Sequence, residues 1–331
     1  MPSDENNHQI KTVLLVGASG YIGRHVAQRL LQKEYNVISL YRKVPELERP
    51  PRNKQVTNLV VDLNNKDELK TFSDSCPPFD AVISCLGSRT GGIQDSWNSE
   101  YLVNLNILRL ALKRSAKKFV LLSAICVQKP RLHFQRAKLA MENELIHSRM
   151  AYTIIRPTAF FKSLAGQVDR VKSGRKFITF DNGEITSCKP ISERDLAEFI
   201  CSSLTNPKME NKILPIGGPS PAITPLDQGN LLFNLTGKKP KFLRVPSNFL
   251  KVLQTTLAPL SYFSSSFRDR IEFLRIAHYY ATESMLYWEN ESIGYSSEKT
   301  PEFGTESLKY FYMRVLKKGL DEQDLGSHKL F

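Results

Sequence analysis

The sequence predicts a protein of the α/β class, in which a doubly wound parallel sheet precedes a smaller, mainly helical C-terminal region. Two observations predict this class. Short apolar runs alternate with helical patterns along most of the 331 residues, and a glycine-rich turn joins the first run to the first helix. The alternation stops after the Gly, Pro and Ser cluster at 217–221, so we expect a boundary near residue 220. Strand, glycine turn and helix in this order are typical of a Rossmann-type fold.

Seven runs are predicted as strands because each is short, apolar and rich in β-branched residues. Their near-continuous apolar character indicates strands buried on both faces, as in a parallel sheet covered by helices. The predicted strands are Thr12–Val16, Asn36–Tyr41, Val56–Val61, Asp80–Ser84, Phe119–Ser123, Tyr152–Arg156 and Lys212–Ile216.

The composition is that of an ordinary globular protein, with 41% hydrophobic and 24% charged residues. It excludes the collagen-like, disordered and disulfide-scaffold classes. The formal net charge is +13, but the basic residues are spread along the chain instead of forming one patch or tail. This distribution disfavours nucleic acid as a partner and favours an anionic lipid surface or a multiply anionic ligand.

The five cysteines form no CxxC pair and no Cys/His spacing that suits a metal, so we predict reduced thiols and no metal site. The first eleven residues have neither the apolar stretch of a signal peptide nor the Ser/Arg-rich composition of a transit peptide. No apolar run reaches the roughly 18 residues of a membrane-spanning helix. We therefore expect an intracellular protein that is soluble or bound to a membrane surface.

The first predicted strand leads into a glycine-rich turn, and the first helix follows directly. Glycines there allow a sharp turn and close approach of a pyrophosphate, while the helix N-terminus offers free N–H donors to the phosphates. The GxxGxxG spacing differs from GxGxxG and is similar to that of extended or atypical short-chain dehydrogenases. We therefore predict dinucleotide binding by Gly17, Ser19, Gly20, Tyr21, Ile22 and Gly23.

The residue after the second strand distinguishes NADPH from NADH. An Asp or Glu there would bind the ribose 2′-hydroxyl of NAD, whereas this chain has Arg42, which can pair with the 2′-phosphate of NADPH. A solvated basic turn is the alternative for Arg42. Asp62 and Leu63, after the third strand, are candidates for the adenine edge, although an Asp that caps the next helix has the same pattern. Cys85 and Leu86, after the fourth strand, lie at the carboxyl edge of the sheet, where ligands bind.

The predicted catalytic residues lie at the fifth strand and on the helix after it. Short-chain dehydrogenases use a Tyr and a Lys four residues apart, and the matching positions here are Phe134 and Lys138. Because phenylalanine has no proton to donate, carbonyl or alcohol chemistry by that Tyr is excluded at this position. Lys138 lies in line with an apolar stripe, which is costly unless its ammonium meets water, a ligand or an anion; extension of its stem to solvent is the alternative. Ser123 matches the catalytic Ser of those enzymes, but a capping or turn role fits equally well.

Several long, unusual stretches of sequence indicate a narrower family than the glycine turn does. They are similar to those of the NADPH-type divinyl chlorophyllide a 8-vinyl-reductases of photosynthetic organisms, and the resemblance runs from about residue 11 to Phe331. The strings that carry it are Leu121–Pro130, Phe134–Lys138, Arg156–Gln167, Cys188–Ser192 and Leu214–Pro219.

The resemblance implies reduction of the 8-vinyl group of divinyl chlorophyllide a, or divinyl protochlorophyllide a, to ethyl in chlorophyll biosynthesis, with NADPH as hydride donor. It adds Pro157 and Thr158 to the cofactor site. It also implies a tail over 1–10, a NADPH-binding Rossmann domain over 11–220 and a substrate-binding region over 221–331. Phe134 is compatible with this reaction because the macrocycle accepts the negative charge. Lys138 is the first candidate for the proton donor, and water is the second.

The same resemblance implies a location in the cytoplasm of a photosynthetic bacterium or in the plastid stroma, at the periphery of photosynthetic membranes. Two other functions stay open: a non-catalytic NADPH-sensing or scaffold protein, and an isoflavone-reductase-like ene-reductase. His278 is a candidate axial ligand of the pigment's magnesium ion. Aromatic residues near the C-terminus fit a large, flat, apolar substrate, although packing in a helix core is the alternative for most of them. They are Phe249, Tyr262, Phe263, Phe267, Phe273, Tyr279 and Tyr280.

Overall fold

The computed structural model describes residues 9–42, 55–259 and 265–319. The strands in this part of the chain are β1 (Thr12–Val16), β2 (Asn36–Tyr41), β3 (Val56–Val60), β4 (Ala81–Ser84), β5 (Lys118–Leu122), β6 (Ala151–Pro157), β7 (Phe177–Phe180), β8 (Lys212–Ile216), β9 (Phe242–Val245), β10 (Tyr287–Asn290) and β11 (Gly294–Ser296). Seven of these described strands pair in parallel in the order β3-β2-β1-β4-β5-β6-β8. The order reverses between β1 and β4, and doubly wound sheets bind ligands at the crevice that such a reversal creates.

Helices connect the strands and cover the sheet. The longer ones in the described residues are α1 (Tyr21–Gln32), α2 (Lys66–Ser75), α3 (Ile93–Ser96), α4 (Val103–Lys113), α5 (His133–His147), α6 (Val168–Lys172), α7 (Glu193–Ser202), α8 (Pro225–Thr236), α9 (Ser247–Leu257), α10 (Ser265–Thr282) and α11 (Leu308–Lys318). A π-helical segment, Trp97–Leu102, joins α3 to α4. Short 3₁₀ turns lie at Ile125–Gln128, Phe161–Leu164 and Pro207–Met209.

Alternate residues of β1 point into two apolar layers, one on each face of the sheet. Leu14 and Val16 pack in the layer formed by α2, α4 and α5, whereas Val13 and Leu15 pack against α1 and α7. Each fully buried Leu of this kind contributes about 1.5–3 kcal/mol relative to an exposed side chain. The predicted parallel, doubly covered sheet is therefore confirmed, and the bounds of its seven strands differ from the prediction by at most one residue.

The chain after residue 220 contains short strands, so the prediction of helices and loops alone was wrong there. β9 pairs in parallel with β7, and β10 forms a hairpin with β11. These strands have only three or four residues and are half-buried, which is too short for alternation to be recognised from the sequence. The pairing of β7 with β9 also crosses the predicted boundary, and Phe161 and Phe177 pack in one cluster with Phe233 and Phe311.

Some predicted features lie outside the described residues: positions 1–8 of the predicted tail, Tyr262 and Phe263. Among the helices that the structure describes, none is long and apolar enough to cross a membrane.

Candidate active site

The glycine turn after β1 is built so that side chains are excluded from it. Gly17 has φ +82°, a left-handed conformation that favours glycine, and its carbonyl accepts a hydrogen bond from the N–H of Gly20 at 2.9 Å. A Cβ on Gly23 would stand 2.0 Å from the carbonyl oxygen of Gly17. The backbone of the turn therefore packs directly against the first turn of α1, as the dinucleotide fingerprint requires.

The N-terminus of α1 offers its backbone N–H groups to a ligand. Gly20 is the N-cap residue, no side chain caps the helix, and its first turn contains no acidic residue. A Cβ on Gly20 would meet only the carbonyl oxygen of Gly17, at 3.1 Å. Ser19 and Gly20 are exposed, so the approach to these N–H groups is open. This arrangement suits the phosphates of a dinucleotide.

Tyr21 and Ile22 contribute only backbone atoms to this turn, because their side chains make contacts elsewhere in the protein. The Tyr21 hydroxyl donates a hydrogen bond to Glu193 of α7 at 2.8 Å, and burial together with Glu193 raises the pKa of this phenol. The side chain of Ile22 is buried in the layer between α1 and the sheet. Their predicted contribution to cofactor binding is therefore confined to main-chain N–H groups.

The loop after β4 touches the glycine turn. A Cβ on Gly17 would stand 2.8 Å from the carbonyl carbon and oxygen of Cys85 and 3.1 Å from the nitrogen of Leu86. The structure thus brings together two of the predicted cofactor segments, which are 68 residues apart in the chain (85 − 17). Burial raises the pKa of the Cys85 thiol, so this thiol is neutral at physiological pH.

Lys138 of α5 meets an anion at the carboxyl edge of the sheet. Its ammonium donates to Oε2 of Glu100 at 2.7 Å, and both side chains are almost fully buried. The other carboxylate oxygen, Oε1, accepts the backbone N–H of Ser88 at 2.8 Å. Glu100 therefore ties α5 to the loop after β4. The sequence analysis predicted that the ammonium of this lysine meets water, a ligand or an anion. In the structure it meets an anion, the Glu100 carboxylate.

Ser123 belongs to a second buried network, one helical turn further along α5. Its hydroxyl donates to Oε1 of Glu142 at 2.5 Å. The same carboxylate accepts two hydrogen bonds from the guanidinium of Arg156, which comes from β6. Ser123 and Lys138 line one small cleft with Glu100, Asn104, Leu121, Leu122 and Met141.

Phe134, at the position of the expected Tyr, lies in an apolar cluster with Ile276, Tyr279 and Met285. Helix α10 therefore packs against the start of α5. Tyr279 is buried, and its hydroxyl donates to the carbonyls of Cys126 and Lys129, so its role is in the core. Burial lowers the pKa of His278 on the same helix, which favours its neutral imidazole.

The remaining predicted cofactor residues lie at the ends of parallel strands. Arg42 is exposed at the end of β2. Asp62 accepts the N–H of Asn64 at 3.0 Å in the turn before α2, whose N-cap is Asn65, and Leu63 is buried in the core.

At the end of β6, Pro157 is buried, and the hydroxyl of Thr158 donates to the carbonyl of Lys189. These two residues therefore contribute to the structure of the sheet at the carboxyl ends of its strands.

Three charged residues of the site were missed by the sequence analysis. Glu142 and Arg156 left a signal, since each is a charge within an otherwise apolar helix face or strand. Glu100 left none: it lies 38 residues from Lys138 (138 − 100) and is buried within the π-helical segment. Groups of His, Cys, Asp or Glu that could hold a metal ion are absent from the residues that the structure describes.

Comparison with known proteins identifies the family. Residues 17–207 match the NAD(P)H-binding domain family. The protein named divinyl chlorophyllide a 8-vinyl-reductase, chloroplastic, of Zea mays is 44% identical over 97% of this chain and 83% of its own length. The chain belongs to this reductase family. The protein of the same name from Cucumis sativus is 43% identical over 100% of this chain and 80% of its own length.

Membership in the reductase family makes the chain an oxidoreductase with an NAD(P)H-binding domain. The fold agrees with a solved nucleoside-diphosphate-sugar epimerase from Staphylococcus aureus, which is 14% identical with a TM-score of 0.65 over 91% of this chain and 99% of the epimerase. The glycine turn, the exposed N–H groups of α1 and the loop at Cys85 fit a nicotinamide dinucleotide across the reversal point between β1 and β4.

Proposed function

We propose that the chain reduces the 8-vinyl group of divinyl chlorophyllide a, or of divinyl protochlorophyllide a, to ethyl, with NADPH as reductant, in chlorophyll biosynthesis. The observation that carries this proposal is the 42–44% identity to reductases of that name along nearly the whole chain. Neither the non-catalytic scaffold nor the isoflavone-reductase-like enzyme is favoured by these relatives.

Preference for NADPH rests on Arg42. Its side chain is exposed at the end of β2, the strand that pairs with β1 and therefore ends beside the glycine turn. A ribose 2′-phosphate would lie there. The guanidinium can donate two parallel hydrogen bonds to that phosphate. In the same proposal, residues 11–220 bind the cofactor, and residues 221–331 bind the pigment. Asp62, Leu63, Pro157 and Thr158 lie around the ends of the bound cofactor.

The reaction needs orientation more than acid catalysis at its first step. When bound, the nicotinamide supplies a hydride to the outer carbon of the vinyl group. The conjugated macrocycle delocalises the resulting negative charge, so no strong acid has to act at the same moment. Lys138, held in place by Glu100, binds the ribose next to the nicotinamide and fixes its distance from the vinyl carbon.

A membrane surface is the proposed source of the pigment. Residues 228–268 contain six Lys or Arg and no Asp or Glu. Within this stretch, Phe249 and Val252 on α9 are more than half exposed. Cationic side chains beside exposed apolar ones favour the surface of a membrane with anionic lipids. We place the protein in the plastid stroma or the equivalent bacterial cytoplasm, peripheral to photosynthetic membranes.

The proposed activity is tested by incubating the purified chain with divinyl chlorophyllide a and NADPH. Conversion to the monovinyl pigment is expected as a blue shift of the Soret band, with one NADPH consumed per vinyl group. Gly20→Val is the matched control, since its side chain would occupy the approach to the phosphates. A folded wild-type chain that binds NADPH and leaves the vinyl group intact would contradict the proposal and favour the scaffold alternative.

The membrane proposal has its own measurement. Cosedimentation with phosphatidylglycerol vesicles should exceed that with phosphatidylcholine vesicles, and Phe249→Ser with Val252→Ser should reduce it. Equal sedimentation with both lipids would overturn the proposal.

A further inference from the structure

A buried carboxylate is attached to the start of α1, although the first turn of this helix contains no acidic residue. It belongs to Glu193, the first residue of α7, which is 2% exposed. Its Oε2 accepts a hydrogen bond of 2.8 Å from the hydroxyl of Tyr21, the first residue of α1. Tertiary packing thus brings an anion to the helix end whose N–H groups bind phosphates in the proposed site.

A buried carboxylate at this position opposes the binding of another anion. Like charges repel over longer distances in a protein interior than in water, because the interior screens them less. The pyrophosphate of a nicotinamide dinucleotide is negatively charged and would bind at the same helix end. Glu193 therefore needs a cation beside it if the cofactor is to bind well.

Arg314 of α11 supplies that cation. Its Nη2 lies 3.3 Å from Oε1 of Glu193, and its Nη1 lies 3.5 Å from Oε1 of Glu306. The Arg314 side chain is only 25% exposed, so solvent screens its pairing with Glu193 weakly. The charge at the start of α7 is thus balanced by the last helix of the part of the chain that the structure describes.

The segment before α11 is fixed to α7 by backbone contacts. Asp195 accepts the N–H groups of Thr305 and Glu306 at 3.2 and 3.0 Å. Gly304 has φ +98°, and a Cβ there would stand 2.1 Å from Cγ of Asp195, so this close contact requires glycine. These contacts hold the start of α11, and with it Arg314, beside Glu193.

The ring of Tyr21 has a second contact that leads to α11. Nζ of Lys162 lies 4.6 Å from the centroid of this ring. Lys162 belongs to the 3₁₀ turn Phe161–Leu164, and the ring of Phe161 packs on that of Phe311 in α11, with 5.5 Å between their centroids. The side chain of Tyr21 is therefore held at its hydroxyl and on its ring by elements that pack with α11.

We propose that Glu193 and Arg314 are positioning residues for the cofactor. Glu193 holds Tyr21, and with it the first backbone N–H groups of α1, while Arg314 neutralises Glu193 so that the phosphates are not repelled. The affinity for the dinucleotide then depends on a helix that lies 293 residues along the chain from the glycine turn (314 − 21). This inference rests on the glycine turn as the phosphate site of the proposed function and does not depend on the pigment.

The test measures the Kd of NADPH without pigment, from the change in cofactor fluorescence on binding. Arg314→Met keeps the stem but leaves Glu193 without its cation, so the Kd should rise about tenfold, within the range usual for coupling between two sites. The double variant Arg314→Met with Glu193→Gln removes both charges, and the Gln carbonyl oxygen can still accept the Tyr21 hydroxyl. Its Kd should return to within about twofold of the wild type.

Arg194→Met is the matched control on the same helix as Glu193. The Arg194 side chain is 64% exposed and pairs with Glu306 at 3.5 Å. Solvent screens its charge, so its loss should leave the Kd of NADPH unchanged. A Kd that stays raised in the double variant would overturn the proposal, because repulsion by an unpaired Glu193 would then not be the cause. An unchanged Kd in Arg314→Met would overturn it as well.

If Arg314→Met does not fold, Tyr21→Phe tests the same connection. It keeps the ring beside Lys162 and removes only the hydroxyl that Glu193 holds, so the Kd of NADPH should rise, and an unchanged Kd would overturn the proposal. A wild type that does not bind NADPH would overturn both this proposal and the proposed function. A wild type that binds NADPH, responds to these substitutions as expected and leaves the vinyl group intact would contradict the reductase function alone.

Discussion

Substitutions in the buried pair of Lys138 and Glu100 are predicted to affect the unfolding free energy and the turnover differently. Lys138→Met keeps the packing of the stem but leaves the Glu100 carboxylate, whose side chain is 4% exposed, without its cation. Loss of one partner of a buried pair costs about 3–5 kcal/mol of unfolding free energy. Because Ser88 still donates its N–H to Glu100, we expect a loss of about 3 kcal/mol.

The double variant Lys138→Met with Glu100→Gln removes the unpaired charge. The Gln carbonyl oxygen can still accept the N–H of Ser88, so the unfolding free energy should return to within about 1 kcal/mol of the wild type. Turnover should not return. If the ammonium binds the cofactor ribose, both variants should reduce pigment about 10²-fold more slowly, with a raised KM for NADPH.

The assay combines urea denaturation with initial rates of pigment reduction on the same preparations. Lys138→Met with normal stability would refute the energetic reasoning about the buried pair. Recovery of turnover in the double variant would refute the catalytic role, because Lys138 would then serve only to neutralise Glu100. Glu100→Gln alone completes the cycle and gives the coupling energy between the two side chains.

Three further predictions follow from the same structure. Arg42→Ala should raise the KM for NADPH through loss of a contact worth roughly 1.5–3 kcal/mol and leave that for NADH unchanged; equal effects on both cofactors would contradict the assignment. Gly23→Ala should prevent folding or cofactor binding, because its Cβ would stand 2.0 Å from the carbonyl oxygen of Gly17, and a variant with normal melting temperature and NADPH affinity would contradict this. Burial raises the pKa of the thiols, to about 11 for Cys76 and about 12 for Cys188 and Cys201, from 9.0. The unfolded chain therefore loses these protons first as pH rises, so the contribution of these thiols to the unfolding free energy should be constant well below pH 9 and fall above it by up to about 1.4 kcal/mol per pH unit and thiol. Cys201→Ala should reduce that slope in urea titrations, and an unchanged slope would contradict the assignment.

Local sequence patterns predict the sheet but only half of the site. The strands and the glycine turn are specified by neighbouring residues, so periodicity and spacing are sufficient to find them. Lys138 could be recognised as unusual because its own helix is apolar around it. Its partner Glu100 could not, since it lies 38 residues away in the chain (138 − 100). Only the packing of the π-helical segment against α5 brings the two side chains together.

The π-helical segment at Trp97–Leu102 has a consequence for how the site tolerates change. A π turn holds one more residue than an α turn, and removal of that residue would restore a regular helix. Each residue of an α-helix adds about 100° of rotation, so Glu100 would turn away from Lys138 by roughly that angle relative to α4. The pairing thus depends on the length of this segment as much as on its composition. Substitution of its exposed residue, Leu102, is compatible with the site, whereas a single-residue deletion is not.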